Sequence, residues 1–565
     1  MDVRSKKLNY LFILTAFAFI LISVFLHFYS LSSVPNGFFC DESAIGYNAW
    51  SILETGRDEY GTSYPLFFRC FDNYHDPVMV YTLVPLIKIF GLSKWIVRFP
   101  STVYMLLASL AFYFLSYHFT RGKYLSLCAA FVFSILPWAF PLSRTTMSGY
   151  TPMLLGMTAG WLFLMKAFAH KSAKFAAFSA LGWALAMYSH NCGRPMTAVL
   201  LVCFFAASGK GVIRRWRTAA LFSILFVALM LPMIFYVLYH PESMSARFQT
   251  ISVWRDFPGI PETLKRIAVR YLEYFSPVYL FLTGGTTIRH NTGLTGVLFI
   301  SLLPGVLAGL YRCIKYFSRN YYYRCVMLGI AVYPAAAVLT IDHYHSTRSL
   351  NGMVFWAAAA VIGFDLILKT LRHSSVEKTR LKNRLAKFAI LVSSSAALIE
   401  VPAYFADYFS ESGYIYRSRL PFSAPLTESL EYAFAHLKQD ELLYISKSVC
   451  LDSRFHPSTY AQILFFGKIP PATYQKYGIP QKKIMQYNGR IPVSGILVRS
   501  TCFAYIDPRS GVVLKLNTEP IPENSRLLTT VPFSKKTGID YQIYRVTPKR
   551  KPSASEHYNI PAGEG

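Results

Sequence analysis

The chain has 565 residues, a net charge of +28 at pH 7 and 53% hydrophobic residues. In a soluble protein so basic a balance points to a polyanion, but here the charge lies in short clusters between apolar runs, the pattern of a membrane protein. No nucleic-acid-binding signature is present, so nucleic acid is set aside as a partner, and the nine cysteines show no CxxC or zinc-ligand spacing.

Met1-Asp2-Val3-Arg4-Ser5-Lys6-Lys7 opens onto an apolar run at 8–30, too long for a signal-peptide core and followed by no Ala-x-Ala site. It reads as a retained anchor. A spanning helix needs about 20 mostly apolar residues. About eleven segments are expected on that criterion, at roughly 8–30, 100–120, 123–141, 150–168, 173–190, 195–209, 217–239, 293–313, 323–341, 350–370 and 386–403. Residues 78–90 are apolar but short and contain Pro85, so they are expected to lie at the interface or to re-enter.

With the N-terminus inside, the clusters Lys6-Lys7, Arg121/Lys123, Lys166/Lys171/Lys174, Lys210/Arg214/Arg215/Arg217, Arg312/Lys315/Arg319/Arg324 and the run 369–387 all fall on the cytoplasmic side. The other loops, 32–77, 141–151, 190–195, the long 240–292 loop and 342–349, are rich in His, Arg, Asp, Asn and Gly. Polar groups gathered at one surface point to chemistry or binding at the outer membrane boundary. A transporter would be expected to hold them near the midplane.

The expected organisation is a mainly α, polytopic membrane region at 1–404 and a small α/β extracytoplasmic domain at 405–548, with a polar, disordered tail at 549–565. The strand-like runs Leu442-Leu443-Tyr444-Ile445, Gly495-Ile496-Leu497-Val498 and Tyr541-Gln542-Ile543-Tyr544, with a helical pattern at 427–437, carry the second of these. Cys40 with Cys70, and Cys450 with Cys502, share predicted extracytoplasmic segments, and each pair is open to oxidation there.

The stretch Phe38-Phe39-Cys40-Asp41-Glu42-Ser43, just beyond the first span, concentrates the chemistry. Charge near hydrocarbon costs free energy, and a carboxylate there can serve as a base on an acceptor hydroxyl or amine. The same loop carries Asp58-Glu59, expected to be solvated, and then Tyr64 and Asp72-Asn73-Tyr74-His75-Asp76-Pro77. Cations lie in Ser143-Arg144, in His190-Asn191-Cys192-Gly193-Arg194 and in Asp342-His343-Tyr344-His345-Ser346-Thr347-Arg348. The planar guanidinium fork suits phosphate. Three such clusters on the side that lacks the positive-inside bias favour an anionic ligand over lipid head groups. Asp342, His343 and His345 have no recognised metal spacing.

These residues resemble bacterial GT-C glycosyltransferases, the group that includes dolichyl-phosphate-mannose–protein mannosyltransferases and the aminoarabinose transferase of lipid A. The likeness covers roughly 8–370 and rests on Asp41-Glu42, Tyr64-Pro65-Leu66, Phe90-Gly91-Leu92, Arg98-Phe99-Pro100-Ser101, Pro137-Trp138 with Ser143-Arg144, Tyr188-Ser189-His190 with Arg194, and His345 with Arg348. It departs at His75-Asp76-Pro77, where relatives often carry Lys before Pro. The resemblance implies an integral-membrane enzyme of the inner membrane, with a cytoplasmic N-terminus. It would move a sugar, with inversion, from a polyprenyl-phosphate donor to a protein, lipid A or another envelope glycan. Asp41 would be the base and Glu42 its helper, or the ligand of a divalent metal if one is used. Arg144, His190, Arg194, His345 and Arg348 would hold the donor phosphate; Tyr47, Tyr64, Asp72, His75 and Asp76 would line the substrate pocket. No P-loop or dinucleotide fingerprint is present. The alternative is a lipid or glycan flippase. A scaffold displaying the C-terminal domain would leave the acids and outer cations without a role.

Overall fold

The computed structural model describes residues 3–71, 73–255, 259–372, 380–438, 441–446, 449, 459–477, 490–493, 496–501, 511–519, 521–522, 524–534 and 538–547. Asp72, Cys450, Cys502 and the tail 549–565 lie outside the described residues. The chain divides into two compact units. One is Met1–Asn36 with Pro65–Pro421, the other Gly37–Tyr64 with Phe422–Gly565.

The first unit is helical. Six of its described helices are long and apolar enough to cross a membrane: Asn9–Phe28, Lys94–Thr120, Tyr150–His170, Trp216–Tyr239, Gly352–Arg372 and Arg380–Tyr408. The chain is a multi-pass membrane protein. The other predicted spans are shorter or broken, and proline accounts for much of this. Lys123–Ile135 stops just before Pro137, and Tyr321–Val332 stops before Pro334, after which only Ala335–Val338 is helical. The 293–313 segment becomes a 3₁₀ turn, Ile300–Leu302, followed by Leu303–Lys315 with Pro304 in its first turn. The run at 78–90 forms the helix Pro77–Phe90.

Small residues bring these helices into backbone contact. A Cβ on Gly309 would lie 1.9 Å from the Ala359 carbonyl oxygen, so Leu303–Lys315 and Gly352–Arg372 meet without intervening side chains. Glu400 ties in a neighbour: its carboxylate accepts from the N–H groups of Ile300 and Ser301, each at 2.7 Å. It thereby satisfies two of the donors that a helix start leaves open.

The second unit joins an early segment to the C-terminal part. The helix Cys40–Thr55 packs with Thr459–Phe466 and Pro471–Tyr477. The unit's six-stranded sheet comprises β1 (Leu442–Ser446), β2 (Arg490–Val493), β3 (Ile496–Thr501), β4 (Gly511–Leu516), β5 (Ser525–Ser534) and β6 (Ile539–Val546). Its order is β2-β3-β1-β4-β6-β5; β1 runs parallel to both of its neighbours and the other pairs are antiparallel. The expected strands are present, and the helical pattern at 427–437 forms the helix Ala424–His436.

Candidate functional site

Asp41 and Glu42 belong to the second unit, in the first turn of Cys40–Thr55. Glu42 is fully buried, and its Oε2 accepts from the Phe39 N–H at 3.1 Å, the return half of a capping box. Asp41 is half-buried, and the Cys40 thiol donates to its Oδ1 at 3.7 Å. The field of a helix start favours a carboxylate at this position.

Polar links staple this segment to the C-terminal part. Gln462 Nε2 donates to the Phe38 carbonyl (2.6 Å), the Phe38 N–H donates to Thr427 Oγ1 (3.1 Å), and the Tyr47 hydroxyl donates to the Ile469 carbonyl (2.9 Å). Tyr47 is thus a buried anchor, whereas Tyr64 is exposed with a positive φ of 40°. The expectation that Asp58 and Glu59 are solvated is corrected: they are only 1% and 2% exposed. Asp58 Oδ1 accepts from the N–H groups of Tyr60 (3.0 Å) and Thr62 (2.8 Å), while Glu59 Oε1 accepts from the Tyr460 hydroxyl (3.1 Å). Burial pushes the Asp58 carboxyl above its ordinary value, against the pull of those N–H groups.

The cations belong to the first unit. Arg194 pairs with buried Asp76, donates from Nη1 to Asn191 Oδ1 (2.6 Å), and stands 4.6 Å over the Phe67 ring. Burial raises the Asp76 carboxyl; Arg194, then His75 and the Asn191 N–H, work against that. The His190 ring accepts at Nδ1 from the Cys192 N–H (3.1 Å) and lies 4.7 Å from the Tyr150 ring. Arg348 is buried, and Nη1 donates to Thr340 Oγ1 and Asp342 Oδ2, both at 2.6 Å. The His345 N–H donates to the Tyr274 hydroxyl (2.9 Å), and its Nδ1 is 2.9 Å from Thr347 Oγ1.

Two groups, half-buried Cys192 and buried His290, show that these loops meet. The Cys192 thiol, pushed up to about 11 by burial, lies in the fields of Arg348, Asp76 and Arg194. The His290 ring is 5.0 Å from His345 and 6.2 Å from Tyr150, in the fields of His345, Arg289, Arg348 and His190. Four predicted phosphate ligands, His190, Arg194, His345 and Arg348, are therefore brought together, with Asp76 and, beside it, His75 of the hairpin strand Asn73–His75. Arg194 is paired with Asp76 and Arg348 with Asp342, while Arg289 adds a third guanidinium charge near His290. Such an arrangement can hold an anion and move a proton.

Arg144 is engaged elsewhere in the unit. Its Nη1 donates to the carbonyls of Leu26 and His27 (both 2.7 Å), and its Nη2 to those of Tyr29 (2.6 Å) and Val34 (3.1 Å). With Arg98, which donates to Leu31 and Pro35, it grips the backbone that leaves the first span. Among the described residues no three His, Cys, Asp or Glu side chains are grouped to hold a metal.

His290 and Arg289 were not singled out as ligands from sequence. Arg289-His290-Asn291 closes the long polar loop just before an apolar segment, the same junction that marks His190 to Arg194 and His345 to Arg348.

An apolar hollow of about 450 Å³ lies between the spans, lined by Phe112, Val132, Phe133, Leu136, Ala357 and Phe364 among others. Leu136 is two residues from Trp138, whose Nε1 donates to the Ser346 carbonyl (3.0 Å) in the loop that carries His345 and Arg348.

Neither a family model nor a curated protein matches the sequence. Solved structures do. ArnT from Cupriavidus metallidurans bound to undecaprenyl phosphate is similar over 94% of this chain and 97% of its own, at 12% identity and a TM-score of 0.51. Its apo state gives the same values. The chain has the GT-C glycosyltransferase fold. At such low identity the GT-C likeness is one of fold. The archaeal oligosaccharyltransferase AglB from Archaeoglobus fulgidus, in complex with an inhibitory peptide and a dolichol-phosphate, is similar over 81% of this chain and 64% of its own, with 12% identity and a TM-score of 0.48.

Proposed function

We propose that the protein is an inverting glycosyltransferase of the inner membrane, with a cytoplasmic N-terminus, which moves a sugar from a polyprenyl-phosphate donor to an envelope acceptor, protein, lipid A or another glycan, at the extracytoplasmic face. One observation carries the reading: His190 and Arg194 come from one junction and His345 and Arg348 from another, yet all four converge on one cationic cluster. Undecaprenyl phosphate in the ArnT structure supports a lipid phosphate as the anion. The apolar hollow offers a hydrocarbon-lined volume for a prenyl chain.

In this reading Asp41 takes the proton of the acceptor, and Glu42 holds the helix start that presents Asp41. The acceptor atom attacks the anomeric carbon opposite the phosphate. The carbon–oxygen bond to phosphate breaks, its electron pair goes to the phosphate oxygen, and the configuration inverts. Charge grows on the leaving phosphate, where preorganised cations are worth most. Arg348 and Arg194 supply that field with His190 and His345, while His75 and Asp76 border it.

The test is transfer from a polyprenyl-phosphate sugar by protein reconstituted in membranes. Asp41→Asn should fold and bind donor but transfer at least about 100-fold more slowly, the scale of a lost general base. Arg348→Ala should raise the KM for donor or lower kcat. Wild-type transfer by Asp41→Asn removes the base, and wild-type kinetics for Arg348→Ala remove the phosphate site.

A further inference from the structure

His290 differs from the other cluster residues. It is 7% exposed, and its Nδ1 is buried with no hydrogen-bond partner among the described residues. A buried polar nitrogen left open is costly, and such groups commonly await a ligand or a proton. The backbone around it is firmly built. The His290 N–H donates to the Thr287 carbonyl (2.9 Å), its own carbonyl accepts from Ser346 Oγ (3.4 Å), and Asn291 Nδ2 donates to the carbonyls of Thr283 (2.6 Å) and Gly285 (3.1 Å). These bonds fix the backbone from which the ring projects.

The charged groups that bear on its ring are cationic or basic, although Arg348 is itself paired with Asp342. His345 and Arg348 come from the 342–349 loop, His190 from the loop after Ala173–Ser189, and Arg289 from its own loop; the Tyr150 ring faces it from the start of Tyr150–His170. In the empty site a proton on His290 would add positive charge to an already cationic, desolvated place, so the imidazole is neutral. An anion reverses that balance, and a dianion reverses it most.

We propose that His290 is the proton-accepting ligand of this site, binding one proton when a lipid phosphate monoester occupies the cluster and so distinguishing the monoester product from the phosphodiester donor. The inference rests on the reading of the cluster as the lipid-phosphate site. The donor is a diester with one negative charge. When the anomeric carbon–oxygen bond breaks, its electron pair stays on phosphate and a monoester with a second negative charge is left. His290 takes a proton from solvent water and donates it as a hydrogen bond to that monoester. The monoester then leaves more readily as pH rises.

The experiment uses the full chain in detergent micelles. Farnesyl phosphate and its methyl phosphodiester are titrated calorimetrically at pH 7.5, each in two buffers of different ionisation enthalpy. Monoester binding should take up close to one proton more than diester binding. Its affinity should fall by up to about tenfold per pH unit above neutrality, the limit for one linked proton, while diester affinity stays level. In His290→Gln both the uptake and the pH slope should be lost. Equal proton uptake by both ligands in the wild type overturns the inference without any variant, as does undiminished uptake in His290→Gln. If neither ligand binds, the lipid-phosphate reading fails and this inference with it; binding of both without differential uptake overturns the inference alone.

Discussion

Arg194 and Asp76 lie 118 residues apart in sequence and form a buried ion pair, with side chains 11% and 5% exposed. Removing one partner strands the other charge in a desolvated place. Arg194→Ala should therefore lose about 3 kcal/mol of stability, the lower end for a broken buried pair. The double variant Arg194→Ala/Asp76→Ala should recover part of that loss. Thermal unfolding in detergent checks both; a double variant no more stable than the single one contradicts the pairing.

His290 makes stability depend on pH. Burial holds its imidazole well below the ordinary 6.5, so the folded protein keeps it neutral where the unfolded chain protonates. The unfolded state then binds more protons, and its contribution to stability falls as pH drops below about 6.5, by up to about 1.4 kcal/mol per pH unit, until the folded value is reached. The loss between pH 6.5 and 5 should be shallower in His290→Gln. Unfolding midpoints measured at several pH values would show an unchanged slope if this is wrong.

Arg144 uses one planar fork on four backbone carbonyls, those of Leu26, His27, Tyr29 and Val34. Lysine offers a single point charge and cannot reproduce that spread. Arg144→Lys should cost about 2–3 kcal/mol, from hydrogen bonds of a charged donor left unmade, while the KM for donor in the folded fraction is unchanged. A raised KM with wild-type stability would return Arg144 to the phosphate.

Gly37 has φ +93°, and a Cβ there would lie 2.4 Å from the Phe422 carbonyl oxygen and 2.7 Å from the Ala424 nitrogen. Gly37→Ala must move the backbone that leads into Asp41. It should destabilise the second unit by about 1–3 kcal/mol, the range for a strained non-glycine residue, and speed proteolysis within that unit. Proteolysis at the wild-type rate would show that the contact yields without cost.

The apolar runs made the membrane character and most helix positions legible, because crossing hydrocarbon demands length and hydropathy, and both are local. Prolines 137, 304 and 334 lie inside predicted spans that the structure shortens, and the packing that lets the short helices persist is not local. The junction residues His190, Arg194, His345 and Arg348 could be named because His and Arg at the ends of apolar runs stand out. Arg144 has the same local signature and proved to serve the backbone after the first span. Asp58 and Glu59 look like solvated loop acids until Thr62 and Tyr460 reach them.

From its order of residues alone this chain declares that it enters the bilayer repeatedly, where its charged clusters lie between apolar runs, and where an acidic pair follows the first span. Tertiary structure decided which cations share a neighbourhood, that His290 sits among them, and that the segment bearing Asp41 belongs with the C-terminal unit. Hydropathy and charge preference are properties of single segments. Whether a guanidinium meets a ligand or a carbonyl depends on partners more than a hundred residues away, which no local pattern records.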